Sequence, residues 1–185
     1  MAAQSGSERL FVALDLPAPA RAALAAFRAR ADPALWRPVP DEALHVTLVF
    51  LGHRPAGDVQ GLAALVRACA GPAADLALGA ALLLPPRRAR VLCAEVRDGS
   101  GALAALQARL VRALAAADLH EPERRPYRPH ATVARLRAGA RAQRMTPRDG
   151  PERVGFEGES VTLYRSRLSA AGARYEPLER VTIIG

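Results

Sequence analysis

Two short segments of the same form constrain the fold most. His45-Val46-Thr47-Leu48 and His130-Ala131-Thr132-Val133 both read His-x-Thr-x with apolar residues at x, and they stand 85 positions apart in a chain of 185. Each follows a helical pattern at nearly the same distance: His45 lies fourteen residues past Ala31, and His130 thirteen past Ala117. Self-similarity of this kind marks an internal repeat. With only two copies it predicts two related lobes rather than a stacked array. Side chains in a strand alternate between faces, so residues i and i+2 point the same way. His45 therefore shares a face with Thr47, and His130 with Thr132, while Val46, Leu48, Ala131 and Val133 turn toward a core.

The surrounding patterns alternate strand and helix. Arg9–Leu16 reads as a strand stopped by Pro17 and Pro19, with a helix over 18–31 that Asp15 or the prolines open. Trp36–Pro40 is extended, because each proline biases its predecessor away from helix. Leu44–Leu51 is a strand closed by Gly52, and a helix capped by Asp58 runs to residue 70. Strands over 76–84 and 90–96 form a hairpin, followed by a helix from Ser100 to Ala117 with its stripe of Leu103, Leu106, Leu110 and Leu114. His130–Leu136, Ser160–Leu168 and Tyr175–Ile183 complete the strands, with a linker over 137–150 and a turn near Ala171-Gly172. Mixed elements with hairpins imply an α+β fold: two pseudo-symmetric lobes with mainly antiparallel sheets around a central groove and helices outside, in one bilobal domain over 1–185.

Charge narrows the partner. The formal net charge is +8 and the pI about 11.0, a balance that attracts polyanions. All 26 basic residues are arginine. Together with the abundant Ala, Gly and Pro, that also fits a compositional bias of the coding sequence, so charge alone leaves both readings open. Cys69 and Cys93 lie in apolar stretches without metal-ligand spacing and read as buried free thiols. No run approaches the ~20 apolar residues that cross a bilayer. A cytoplasmic monomer without a membrane segment is expected.

The paired motifs suit phosphate ester chemistry. In-line displacement at phosphorus needs a base on one side and an acid on the other, and imidazole serves both because its ordinary pKa is about 6.5. The hydroxyls of Thr47 and Thr132 can donate to non-bridging oxygens. The four histidines, at 45, 53, 120 and 130, show no metal-ligand spacing. No metal and no cofactor are called for. A non-catalytic RNA-binding module would need only the charge and a groove, not two intact His/Thr pairs.

At these motifs the chain resembles the 2H phosphoesterase family, and within it the bacterial RNA 2′,3′-cyclic phosphodiesterases, also called 2′-5′ RNA ligases. RLFVALDLP, LHVTLVFLG, RPHATVARL and VTLYRSRLSAAGARYEPLERVTI carry the likeness, which spans nearly the whole chain. The resemblance implies hydrolysis of a 2′,3′-cyclic phosphate on RNA ends or nucleotides to a 2′-phosphate. His45 would donate a proton to the departing 3′ oxygen, His130 would activate water, and Thr47 and Thr132 would hold the phosphate. It also implies that Phe50 and Arg135, five residues after each histidine, line the site, Phe50 against a base and Arg135 against phosphate. Simple strand parity opposes this, since an offset of five lands on the other face unless a bulge intervenes.

Remaining features carry weaker readings. His53 and His120 are expected in surface loops. Arg124, Arg125 and Arg128, with Tyr127, form a loop that either grips an RNA strand or is merely solvated. Arg141, Arg144 and Arg148 could extend that rim, and Trp36 is expected to anchor its connector to the core.

Overall fold

The computed structural model describes residues 6–141, 149–169 and 172–183. The elements run β1 (Ser7–Asp15), α1 (Ala18–Ala29), β2 (Trp36–Pro38), β3 (His45–Pro55), α2 (Val59–Cys69), β4 (Leu76–Leu84) and β5 (Val91–Asp98). They continue with α3 (Ala102–Ala116), β6 (His130–Leu136), β7 (Gly155–Phe156), β8 (Ser160–Ser169) and β9 (Gly172–Thr182). The α+β class and antiparallel pairing are as the sequence implies. Among the described residues the nine strands join one curled sheet in the order β7-β4-β5-β6-β3-β1-β8-β9, with β2 beside β6. The order is symmetric about its centre. β6 is flanked outward by β5 and then β4, and β3 by β1 and then β8.

The two central strands meet at a single point. β3 and β6 pair antiparallel only at Val46↔Ala131. Farther along β6 its edge is taken by β2, through Trp36↔Leu136 to Pro38↔Ala134. β3 and β6 therefore diverge, and a groove opens beside the pairing point. Within the extended connector, Trp36–Pro38 is thus a short strand, and Trp36 is buried as an anchor.

The helices cover the face opposite the groove. Leu103, Leu106, Leu110 and Leu114 of α3 are each 0% exposed, as are Leu24 of α1 and Leu62 and Val66 of α2. They join one cluster with Val46, Leu48, Ala131 and Val133 from the central strands. Truncating such a leucine to alanine typically costs about 2–5 kcal/mol, so the helices clamp the strands that carry the motifs.

Several local expectations are corrected. β3 does not stop at Gly52: that glycine takes φ +68° and the strand runs on to Pro55, which places His53 on a strand. Asp58 makes no side-chain cap, because its carboxylate pairs with Arg54 at 2.7 Å. At α3, Ser100 Oγ accepts from the Ala102 N–H at 3.3 Å as expected, and Asp98 adds to it, accepting from the Ala104 N–H at 2.9 Å and the Leu103 N–H at 3.4 Å. Acidic groups suit that end of a helix. The turn at Ala171 lies outside the described residues, as do Arg144 and Arg148.

Candidate active site

The geometry starts from the register. With Val46 opposite Ala131, one step along an antiparallel ladder sets His45 across from Thr132 and Thr47 across from His130. The motifs are thus related by a local two-fold axis through the pairing point. The imidazoles are diagonal neighbours, a relation that spaces residues about 7–8 Å apart in a sheet.

A bulge in each strand resolves the parity conflict. β1 pairs Val12 with Val49 and then Ala13 with Thr47, so Leu48 is unpaired. β5 pairs Leu92 with Ala134 and then Cys93 with Thr132, so Val133 is unpaired. The extra residue sits three positions after the histidine in both cases. Each bulge shifts the alternation by one. Burial follows: Leu48-Val49 and Val133-Ala134 are consecutive buried pairs, after which Phe50 and Arg135 emerge on the histidine face.

All six residues singled out from sequence, His45, Thr47, Phe50, His130, Thr132 and Arg135, line one cavity of ≈ 470 Å³. Phe50 is 57% exposed. Arg9 and Arg37 also line the cavity, and no aspartate or glutamate does. None of the three arginines has an ion-pair partner among the described residues. The cavity is built for an anion.

Each imidazole is fixed by its own backbone turn. The Nδ1 of His45 lies 2.8 Å from the Ala43 carbonyl, and that of His130 2.8 Å from the Arg128 carbonyl. A carbonyl only accepts, so Nδ1 carries the proton and the Nε2 of each neutral ring is left as an acceptor. His45 Nε2 meets Thr47 Oγ1 at 3.1 Å. Thr132 instead contacts Cys93, with Oγ1 3.5 Å from the sulfur. Burial pushes the Cys93 thiol up to about 11.

His45 sits in an aromatic nest that the sequence reading missed. Its ring lies 5.0 Å from Phe11 and 5.3 Å from Tyr175, the latter edge-on, and Phe11 stacks on Tyr164 at 5.3 Å. Burial drives the His45 pKa down to about 4, partly opposed by the Ala43 carbonyl and by Asp15, and reinforced by Arg135 and His130. The free imidazole is therefore neutral at neutral pH. Phe11 alternates with Ala13 and Asp15, so its face was readable. Tyr175, Arg9 and Arg37 reach the cavity through long-range pairing that no local pattern reports.

Other residues fall outside this cavity. His53 is exposed on β3, 3.3 Å from Ser7 Oγ. His120 lines a neighbouring cavity, and burial lowers its pKa. Tyr127 does not face solvent: its hydroxyl donates to the Thr47 carbonyl at 3.1 Å, and burial raises its pKa. It ties the arginine loop to the first motif. Asp15 opens no helix with its side chain. It is 8% exposed and accepts from Ser160, Thr162 and Tyr164 at 2.6, 2.7 and 2.7 Å. Among the described residues no group of three or more His, Cys, Asp or Glu could hold a metal ion, and no helix is long and apolar enough to cross a membrane.

Comparison with known proteins agrees with the motif resemblance. Residues 16–170 match the 2′-5′ RNA ligase superfamily, and the chain belongs to that family. It is 33% identical to the RNA 2′,3′-cyclic phosphodiesterase of Thermus thermophilus, over 96% of this chain and 91% of that protein. It is also 33% identical to the Escherichia coli RNA 2′,3′-cyclic phosphodiesterase, over 95% of this chain and 97% of that one. The crystal structure of E. coli LigT complexed with 3′-AMP superposes with a TM-score of 0.77 at 29% identity, covering 97% of this chain and 100% of LigT.

Proposed function

We propose that this chain hydrolyses 2′,3′-cyclic phosphate ends of RNA to 2′-phosphate ends, using His45 and His130 and no metal. The observation that carries the reading is the two-fold pairing of the motifs in a cavity lined by Arg9, Arg37 and Arg135 and by no carboxylate. The names of the two relatives support the substrate class, and the 3′-AMP complex of LigT supports a nucleotide fit. The two buried free thiols suit the reducing cytoplasm, where the chain works as a bilobal monomer.

In this scheme water attacks phosphorus, the P–O3′ bond breaks, and the 2′ linkage stays. His130 Nε2 takes the water proton, and His45 Nε2–H delivers one to the 3′ oxygen. Thr47 and Thr132 donate to the non-bridging oxygens as charge develops there. Arg135 neutralises the phosphate, and Phe50 stacks on the terminal base. An imidazolium at His45 is disfavoured in the empty nest. The arriving phosphate anion favours it, which is how a buried neutral histidine becomes a proton donor on demand.

The test is an EDTA-treated reaction with an RNA oligonucleotide ending in a 2′,3′-cyclic phosphate. The expected product carries a 2′-phosphate, at a rate unaffected by the chelator. Release of a 3′-phosphate, activity only on free cyclic nucleotides, net end joining, or binding without turnover would each replace this reading with another.

The pH profile follows from the same burial. A proton donor must carry its proton, and in the free protein His45 takes one up only below about 4. The donor's contribution to the profile is therefore a rise in kcat/KM as pH falls toward about 4, with circular dichroism confirming that the fold persists. Because kcat/KM reports the free enzyme, a limb near the ordinary imidazole value would mean that the aromatic nest does not control His45. Tyr175→Ala, which opens the nest to water, should move the limb upward.

A further inference from the structure

The phosphate groove continues into a second cavity of ≈ 590 Å³ that shares Thr47, Phe50 and His130 with it. Its floor is apolar, formed by Ala108 and Val111 of α3 and by Leu84-Pro85-Pro86 at the end of β4. Its rim carries Arg112, Arg125 and Arg128, all exposed and without an ion pair among the described residues. Glu123 is the single carboxylate in the lining, beside His120. Phe50 stands between the two cavities as the only exposed large hydrophobic side chain among the described residues.

We propose that this second cavity binds the nucleotide immediately 5′ of the terminal ribose, its base on the apolar floor and its phosphate on the arginine rim. The inference rests on the cyclic phosphodiesterase reading. With the cyclic phosphate between the histidines and the terminal base on Phe50, the strand must leave the groove past that ring. An RNA strand alternates flat, largely apolar bases with anionic phosphates, and the cavity alternates an apolar floor with unpaired cations. Stacking and backbone cations are the two contacts that single-strand sites combine.

The opposite exit fits less well. The groove also borders a smaller hollow of ≈ 300 Å³ lined by Arg9, His53, Arg165 and Arg167. There Arg165 is paired with Glu8 at 2.6 Å and with Glu176 at 3.1 Å, and Arg167 with Glu176 at 3.2 Å. Arg165 and Arg167 are thus already neutralised by carboxylates and Arg9 alone is left, whereas all three arginines on the rim of the larger cavity are without an ion pair among the described residues.

The test compares kcat/KM for adenosine 2′,3′-cyclic phosphate with that for the dinucleotide ApA ending in the same group. The mononucleotide has nothing to place in the second cavity, so the ratio isolates it. In the unmodified protein the dinucleotide is expected to be favoured at least about tenfold, in the range of one stacked base. Ala108→Trp, which fills the floor, and the double variant Arg112→Glu/Arg125→Glu on the exposed rim should each bring the ratio near one. Arg167→Glu should leave it unchanged. The rim variant alters only solvent-facing side chains, so it decides the matter even if the tryptophan disturbs folding. A ratio near one in the unmodified protein, survival of the preference in the rim variant, or its loss in Arg167→Glu would overturn the assignment. Hydrolysis of neither compound would instead overturn the cyclic phosphodiesterase reading beneath it.

Discussion

Replacing either His45 or His130 with alanine is expected to lower turnover on a cyclic-phosphate end at least ~10²-fold, the lower end for a positioned acid or base. That corresponds to about 2.7 kcal/mol of transition-state stabilisation. The double variant should lose little more than the worse single one, because the two imidazoles act as a unit. Structural collapse does not explain the losses, since both rings lie on the groove face and the core beneath them is Val46, Leu48, Ala131 and Val133. The roles separate with a substrate whose 3′ oxygen is replaced by sulfur. A thiolate leaves without a proton, so the acid becomes dispensable. The defect of His45→Ala should then shrink while that of His130→Ala persists. The reverse pattern would assign the acid to His130. Near wild-type turnover in both single variants would falsify the pair.

The second large effect lies behind the aromatic nest, where Asp15 stands opposite His45 across β1 and β3. Asp15→Ala should destabilise the fold by about 3–5 kcal/mol, the usual cost of removing one partner from a buried charged network. Three hydroxyls, from Ser160, Thr162 and Tyr164, converge on this carboxylate, and Arg180 approaches it at 3.3 Å. Without it those donors are left facing one another in a dry strand interface. For a chain of this size the loss should appear as a fall in Tm of about 6–20 °C. Asp15→Asn keeps one acceptor oxygen and should lose less. A Tm within a degree or two for Asp15→Ala would mean that water replaces the carboxylate, and that the hydroxyl cluster contributes nothing to joining β1 and β8.

The chemistry was more legible in the sequence than the geometry around it. The His/Thr pairs could be read because period-two alternation needs only local spacing, and their repetition tied them together. The face taken by Phe50 and Arg135 was harder. Its trace was present, since Leu48-Val49 and Val133-Ala134 double the apolar position and break the alternation, but only pairing with β1 and β5 identifies a bulge. Asp15 looked like a helix opener because its three partners lie about 145 residues on. β7 was missed because two residues, Gly155 and Phe156, carry no period. The extension of β3 beyond Gly52 was missed because a glycine of positive φ usually ends a strand, whereas here β1 continues to pair across it.

The matching bulges have a further consequence. An irregularity placed at the same step of both halves keeps their backbones close to two-fold symmetry through the site. Two identical copies would have met on a true dyad, with interchangeable imidazoles, and neither could be committed to give or to take a proton. What now distinguishes them is ornament added to one side or the other: an aromatic nest around His45, a sulfur beneath Thr132, a phenyl ring answering a guanidinium. Under the proposed mechanism, division of labour at this centre is a property of the neighbours, and transplanting those neighbours between halves should exchange the roles without touching either histidine.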